Sequence, residues 1–153
     1  MNIALNNSKH LIRPLGALVL TIGCVLAGVG VLSGCQTTTQ TQGSTGIVTR
    51  FNGTTLKADL PLSVSVAKAV EASRKVLEAR YFVIVDSRVG ADSGFVTARP
   101  PRTTDFPRVR IVAENAVTAE GSPVTRLNIT YQPVGDEFSS RDVMGRILTE
   151  LGL

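Results

Sequence analysis

Histidine, cysteine and tryptophan are nearly absent from this 153-residue chain. The one histidine is His10, the two cysteines are Cys24 and Cys35, and there is no tryptophan. Residues 36–153 therefore contain neither an imidazole nor a thiol. Nucleophilic catalysis of the Ser-His-Asp or Cys-His kind needs an imidazole base, and structural zinc sites use His and Cys ligands. Both classes of site are excluded from that part of the chain.

The first 34 residues are arranged like a secretory signal peptide. Lys9 and Arg13 are their only charged residues, and residues 15–32 form an uncharged, mostly apolar run. The run ends at Leu32-Ser33-Gly34-Cys35, which resembles the bacterial lipobox at all four positions. The resemblance implies that the Cys35 thiol receives a diacylglyceryl group, that residues 1–34 are cleaved off, and that the new amino terminus is acylated.

An uncleaved membrane-spanning helix is the alternative, because the apolar run reaches the lower limit of length for a span. Four glycines within the run and the lipobox at its end favour cleavage. Two or more acyl chains anchor a protein stably, so a lipidated Cys35 needs no transmembrane helix. Gln36 follows the cysteine, whereas the sorting pattern of enteric lipoproteins retains aspartate at that position in the inner membrane. The resemblance therefore implies an outer-membrane lipoprotein that faces the periplasm.

Cleavage after Gly34 would change the net charge of the protein. The 16 basic residues become 14 against 12 acidic ones, so the net charge falls from +4 to +2. His10 and Cys24 are lost and the Cys35 thiol is blocked, which leaves no internal disulfide. A nearly neutral domain does not indicate nucleic acid on charge alone. We also expect no aromatic residues between the basic residues of the sheet, so the predicted partners are the membrane and an envelope component, and nucleic acid is not one.

The pattern after Cys35 predicts a tether and one domain. Residues 36–46 are rich in Thr, Gln, Ser and Gly and carry no charge, which predicts a flexible linker. Residues 47–153 form the domain, which opens with two alternating runs around Asn52-Gly53, the strongest short signal for a β-hairpin. Leu56, Ala58 and Leu60 share the apolar face of the second run.

A helix capped by Ser63 or Ser65 is predicted to extend to about Arg80, because apolar residues recur at helical spacing opposite a charged stripe. The apolar run 81–85 predicts a central strand. Three further strands follow, at 95–99, 108–115 and 126–131, and the last two are predicted to form a hairpin around Gly121. With the loop centred there, Ile111 lies opposite Tyr131 and Ala113 opposite Ile129.

The C-terminal segment predicts a second helix. Ser139 and Asp142 have the spacing of a capping box, and Phe138 and Val143 can form the accompanying hydrophobic staple. The expected fold is an α+β two-layer sandwich, with an antiparallel sheet of about five to six strands, both helices on one face, and the order β-β-α-β-β-β-β-α.

The runs LKADLPLSVSVAKAV, YFVIVDS and GDEFSSRDVMGRIL, with the strands between them, resemble a family of short bacterial lipoproteins with a domain of unknown function. The resemblance covers nearly the whole chain after Cys35. It implies a small α+β domain on a lipid anchor and carries over no catalytic residues.

Two groups of charged residues are candidate sites. A carboxylate-dependent hydrolase would need opposed carboxyl groups, for which the candidates are Asp86 with Asp92 and Asp136 with Glu137, but all four read as turn residues. Arginine favours bidentate contact with phosphate or carboxylate. The residues predicted to bind an anion share one predicted sheet face or the loop beside it: Arg99, Arg102, Arg108, Arg110 and Arg126.

The sequence therefore predicts a lipid-anchored envelope protein with a non-catalytic binding or structural role, no catalytic residues, no metal and no cofactor. An adaptor subunit of an outer-membrane assembly complex is the alternative. It would offer an edge strand near residues 94–99 or the adjacent Pro-rich loop to a partner.

Overall fold

A computed structural model gives the structure of residues 37–103 and 106–153. Over these residues the chain has an α+β fold, in which seven antiparallel strands form one open sheet. The elements in chain order are β1 (Thr38–Gln42), β2 (Ile47–Phe51), β3 (Thr55–Leu60), α1 (Val66–Ala79), β4 (Val83–Val89), β5 (Ser93–Arg99), β6 (Arg108–Val117), β7 (Pro123–Gln132) and α2 (Glu137–Leu151).

The strand order across the sheet is β1-β2-β3-β7-β6-β5-β4. Helix α1 packs on β4, β5 and β6, α2 packs on β1, β3 and β7, and the helices contact each other. The predicted α+β class is confirmed. The sheet has more strands than expected, because an additional strand, β1, precedes the predicted pair.

The prediction of a flexible linker at 36–46 was wrong for the residues that form β1. Thr38 to Gln42 pair with Phe51 to Ile47 of β2. Helix α2 also holds this strand, since the Arg141 guanidinium donates to the Thr38 hydroxyl at 3.0 Å and the Gln42 amide donates to the Arg141 carbonyl oxygen at 3.0 Å. A polar composition is compatible with an edge strand because backbone and side-chain hydrogen bonds, not burial, stabilise it.

The hairpin β2–β3 forms around Asn52-Gly53 as predicted. The Asn52 side chain accepts from the Thr55 backbone N–H at 2.8 Å, and Gly53 has φ +89°, which a residue without a Cβ adopts freely. Leu56, Ala58 and Leu60 of β3 are buried under the helices. The predicted apolar face of this strand is therefore confirmed.

Helix α1 begins and ends close to the predicted positions. The Ser65 hydroxyl oxygen accepts from the Lys68 backbone N–H, which caps the first turn. At the other end, Tyr81 N–H donates to the Glu78 carbonyl and Phe82 N–H to the Leu77 carbonyl, the two bonds of a Schellman motif. Tyr81 has φ +62° and is 82% exposed, so it terminates the helix instead of beginning a strand.

The prediction of a central strand at 81–85 was wrong in position. Strand β4 follows the helix cap and lies at the edge of the sheet, paired only with β5. Its valines Val83, Val85 and Val89 are between 43% and 54% exposed. The apolar run suggested that the strand is buried, but the burial of a strand also depends on its position in the sheet, and an edge strand has a neighbour on one side only. Strand β5 instead lies between β4 and β6, so residues 94–99 are not the expected edge strand.

The register of the β6–β7 hairpin differs from the prediction by two residues. Ile111 lies opposite Ile129 and Ala113 opposite Leu127. The loop is a turn in which Gly121 N–H donates to the Thr118 carbonyl, and Gly121 has φ +84°. Gly121 is therefore the fourth of the five residues that join the strands and not the central one. The predicted faces of the two strands are confirmed, because a register shift of two residues leaves every side chain on the same face of the sheet.

Helix α2 begins earlier than predicted. Asp136 is the N-cap, and its carboxylate accepts from the Ser139 backbone N–H at 2.9 Å. Ser139 is therefore a first-turn residue rather than the cap. Phe138 is 85% exposed, so the predicted staple with Val143 does not form. The apolar stripe is confirmed, since Val143, Met144, Ile147, Leu148 and Leu151 are buried.

Candidate anion-binding face

The sheet has one face covered by the helices and one face without them, which we call the open face. On β7, Leu127 and Ile129 are fully buried on the covered face. Arg126, Asn128 and Thr130 alternate with them and are partly exposed on the open face. The same alternation on β5 and β6 places Arg99, Arg108 and Arg110 on the open face. We call these three residues the arginine cluster.

The Arg110 guanidinium lies over an aromatic ring. Its guanidinium carbon is 4.1 Å from the centroid of the Phe95 ring, and its Nη1 donates to the Thr97 hydroxyl at 3.3 Å. Phe95 and Thr97 are neighbours on the same face of β5. A guanidinium has five N–H donors, so a contact with the ring and one hydrogen bond to Thr97 leave further donors that an oxyanion can use. A shallow groove of about 400 Å³ passes over this ring, lined in part by Arg88, Arg110 and Glu114.

Arg99 and Arg108 stand beside each other on adjacent strands. Ala98 pairs with Val109, so the next residue of β5 and the preceding residue of β6 are neighbours. The Arg99 guanidinium donates to the Thr103 carbonyl oxygen, and the Arg108 guanidinium lies 5.6 Å from the centroid of the Phe106 ring. The register thus brings the three arginines of the cluster to one end of the open face.

Arg102 is close in sequence but belongs to the loop after β5. It is exposed and has φ +66°, in the left-handed region that non-glycine residues rarely adopt. The loop also contains Pro100 and Pro101, and the Thr103 hydroxyl donates to the Pro100 carbonyl at 2.8 Å. Arg102 therefore lies outside the sheet surface, on the loop that borders the cluster.

Arg126 was predicted to join the arginines, but it lies further along the open face in an ion pair. Its Nε and Nη2 donate to the two carboxylate oxygens of Asp59 at 2.7 and 3.2 Å. The hydrogen bonds that Arg126 donates to the Asp59 carboxylate raise the pKa of Arg126. Arg110 pairs with Thr130, four residues along β7 from Arg126, a separation of roughly 13 Å. The structure therefore divides the predicted set, and Arg126 already has a carboxylate partner.

Among the described residues, no ion pair joins Arg99 or Arg110 to a carboxylate, whereas Arg74, Arg80, Arg126, Arg141 and Arg146 all have one. Each of the two makes a hydrogen bond to a neutral oxygen instead. The guanidinium charges of Arg99 and Arg110 are therefore not neutralised within this part of the chain.

The four candidate carboxylates are dispersed. Asp86 is exposed on the edge strand β4, and the Asp92 carboxylate, in the β4–β5 turn, accepts from the Asn115 side chain at 3.2 Å. Asp136 caps α2, and hydrogen bonds from Ser139 lower its pKa. Glu137 accepts from Thr38 and Arg141, and these bonds, the Thr38 bond first, lower its pKa.

These contacts place one pair of carboxylates at the β4 side of the sheet and the other at the β1 side. The structure does not bring the two pairs together. Within residues 37–103 and 106–153, no group of three or more His, Cys, Asp or Glu side chains has the arrangement of a metal site.

The predicted lipidation site lies outside the described residues, as do Leu32, Ser33 and Gly34 of the lipobox and the apolar run 15–32. No helix in the described part of the chain is long and apolar enough to span a membrane.

Sequence reasoning missed the aromatic component of the open face. The expectation that no aromatic residue lies among the basic residues was wrong, because Phe95 lies beneath Arg110. The signal was present in the alternation of Phe95, Thr97 and Arg99 along β5, which puts the ring and a guanidinium on the same face.

Compared with known proteins, the chain matches no family model, and no curated protein sequence is significantly similar to it.

Proposed function

We propose that the chain is a lipid-anchored protein of the bacterial cell envelope with a non-catalytic binding role. Cys35 is its lipidated residue, and the arginine cluster binds oxyanions, with the phosphates of anionic lipid headgroups as the ligand. The observation that carries the proposal is the pair of guanidiniums, Arg99 and Arg110, that lack a carboxylate partner in the described structure and share one end of the open face. The lipobox supports the anchor.

The short distance between Cys35 and the fold supports a membrane ligand. Strand β1 begins at Thr38, three residues after Cys35. Even a fully extended segment of that length spans only about 10 Å. A lipidated Cys35 therefore holds the sheet close to the membrane surface, where headgroup phosphates are concentrated.

The start of β1 and the arginine cluster lie at the same end of the sheet, which supports the proposal that the anchor holds the cluster near the membrane. Pairing connects Thr38 to Phe51, Phe51 to Leu56, Leu56 to Ile129, and Ile129 to Ile111, so Thr38 and Ile111 lie at one level. Four antiparallel pairings separate β1 from β6, so the two strands run in the same direction and both begin at the same end of the sheet. The start of β6 carries Arg108 and Arg110, and the anchor thus brings the cluster toward the bilayer.

The anchor is tested by intact-mass spectrometry of the protein isolated from its own envelope. We expect a chain that begins at Cys35 and carries the added mass of a diacylglyceryl group and an amide-linked acyl chain. Replacing Cys35 with serine should abolish both the processing and the membrane association. A wild-type mass that retains residues 1–34 would contradict the lipoprotein assignment, and the Cys35→Ser variant distinguishes an anchor by lipid from an anchor by the apolar run.

The source of the oxyanion is tested with residues 37–153, which contain the whole sheet and both helices but no anchor. One arm measures binding to vesicles of phosphatidylglycerol with phosphatidylcholine, and pure phosphatidylcholine vesicles are the control. The other arm measures binding to purified peptidoglycan, whose anionic groups are carboxylates. Binding to the anionic vesicles that weakens with added salt supports the lipid ligand. Binding to peptidoglycan but not to the anionic vesicles would identify a cell-wall carboxylate, and not a lipid phosphate, as the ligand.

A further inference from the structure

Strand β4 presents an unpaired edge in which all residues from Val85 to Val89 are exposed. The N–H of Gly90 donates to the Ser93 carbonyl of β5, so the backbone of Gly90 faces β5. Backbone groups alternate in direction along a strand, so those of Arg88 and Asp86 also face β5, while those of Val89 and Ser87 face outward. This edge is free to accept another strand within the described structure.

The sequence of this edge is complementary to itself when it is reversed. Val85-Asp86-Ser87-Arg88-Val89 has a valine at both ends, opposite charges beside the centre, and serine in the middle. In an antiparallel pair centred on Ser87, Asp86 lies opposite Arg88 of the second strand. This contact occurs twice, as a two-fold symmetric interface requires.

We propose that β4 pairs with β4 of a second copy of this chain, antiparallel and centred on Ser87. The two sheets then become continuous, and the helices of both copies lie on the same side because the two-fold axis is perpendicular to the sheet. This proposal does not rest on the lipid anchor or on the arginine cluster.

Charge selects this register over its neighbours. The outward-facing backbone groups belong to alternate residues, so the register can move only in steps of two. One such step places Asp86 opposite Asp86 of the second copy, and the opposite step places Arg88 opposite Arg88. Like charges directly opposite one another destabilise a strand pair. The pairing centred on Ser87 is thus the one in which both charges meet an opposite charge.

The backbone geometry favours the same register. Ser87 has outward-facing backbone groups, so Ser87 of each copy would exchange both N–H···O bonds with the other. Asp86 and Arg88 then occupy the non-hydrogen-bonded positions, where opposite side chains approach most closely. Val85 is the extra residue of a β-bulge between Ile84 and Asp86, which confines the regular part of the strand to residues 86–89. An interface of this size predicts a weak dimer, in which a few charge contacts decide the register.

The test uses cysteine crosslinking of the full-length chain, whose own cysteines are Cys24 and Cys35. In the proposed pair the two Ser87 Cα atoms are about 5.5 Å apart, within the range of a disulfide. We expect Ser87→Cys to give a covalent dimer on mild oxidation, well above the level of the unsubstituted chain. Two Val89 residues would be about 13 Å apart along the strands, so Val89→Cys alone should stay at background.

Charge exchange provides the second measurement, with Ser87→Cys as the reporter. Asp86→Arg places arginine opposite Arg88 and should reduce the yield of crosslinked dimer at least several-fold. The double exchange Asp86→Arg with Arg88→Asp restores opposite charges and should restore the yield. The proposal is overturned if Ser87→Cys crosslinks no more than the unsubstituted chain, if Val89→Cys alone crosslinks equally well, or if the double exchange fails to recover a yield that the single exchange lost.

Discussion

The two faces of the sheet differ most clearly along β7, where one strand supplies both. Its covered face carries Leu127 and Ile129, which are fully buried beneath the helices. Its open face carries Arg126 and Asn128, which make polar contacts at the surface through Asp59 and Glu114. Successive residues of the same strand therefore meet a packed apolar interior and a wet, charged surface.

The comparison separates residues that hold the fold from residues that are available for binding. Burial of large apolar side chains stabilises the covered face, and exposed polar contacts contribute much less. Even the open face is not uniform, because Arg126 is neutralised by Asp59 whereas Arg110 lies over Phe95 without a carboxylate partner in the described structure. We therefore expect changes on the two faces to alter different measurements.

The largest effect is expected from the covered face of β7. Replacing Ile129 with alanine removes a fully buried side chain and should lower the free energy of unfolding by about 4 kcal/mol. The adjacent Asn128→Ala is the matched control on the open face and removes one hydrogen bond to Glu114, so it should cost about 1 kcal/mol or less. Urea unfolding of residues 37–153 measures both. Equal losses for the two variants would contradict the assignment of the faces.

The next effect is a dependence of stability on alkaline pH. Burial raises the pKa of Tyr131 from 10.0 to about 12, because the ionised phenolate is poorly solvated beneath the helices. The contribution of the un-ionised Tyr131 to the free energy of unfolding is fully present below pH 10 and is lost as the pH rises from 10 toward 12. A shift of this size corresponds to about 3 kcal/mol. Unfolding curves at pH 9 and pH 12 should show the loss, and Tyr131→Phe, which cannot ionise, should reduce it. A wild-type chain with the same pH dependence as Tyr131→Phe would contradict the prediction.

The smallest effect on stability distinguishes the two kinds of arginine on the open face. Asp59→Ala removes both hydrogen bonds of the partly buried Arg126 and should lower the free energy of unfolding by about 1 kcal/mol. Arg99→Ser removes an arginine that has no carboxylate partner in the described structure. This change should alter the free energy of unfolding by less than about 0.5 kcal/mol. Thermal melts of the two variants measure the difference. A larger loss for Arg99→Ser would mean that the cluster has a structural role.

Local chemistry made several elements predictable. Asn52-Gly53 identified the first hairpin because its turn conformation suits those two residues. Helical spacing identified both helices, and strict alternation identified the two faces of β6 and β7. In each of these cases the deciding interactions lie within a few residues along the chain.

The errors arose where distant residues decide the structure. Strand β1 has no apolar pattern because it is held by β2 and by Arg141 of α2. Val83 and Val85 are exposed because β4 lies at the edge of the sheet. The periodicity of the sequence does not show which strand lies at the edge. The division of the predicted arginine set follows from the pairing of Asp59 with Arg126 across β3 and β7.

The most direct test of the binding role is a vesicle titration of residues 37–153 against phosphatidylglycerol-containing vesicles at low and physiological salt. The comparison is between the unsubstituted domain, a variant with Arg99, Arg108 and Arg110 all replaced by serine, and Arg126→Ser. We expect the triple variant to bind at least about tenfold more weakly and with a smaller salt dependence, because charged hydrogen bonds to phosphate are lost. Arg126→Ser should bind nearly as well as the unsubstituted domain. Equal binding by all three proteins, with circular dichroism showing that all are folded, would contradict the assignment of the arginine cluster as the anion-binding site.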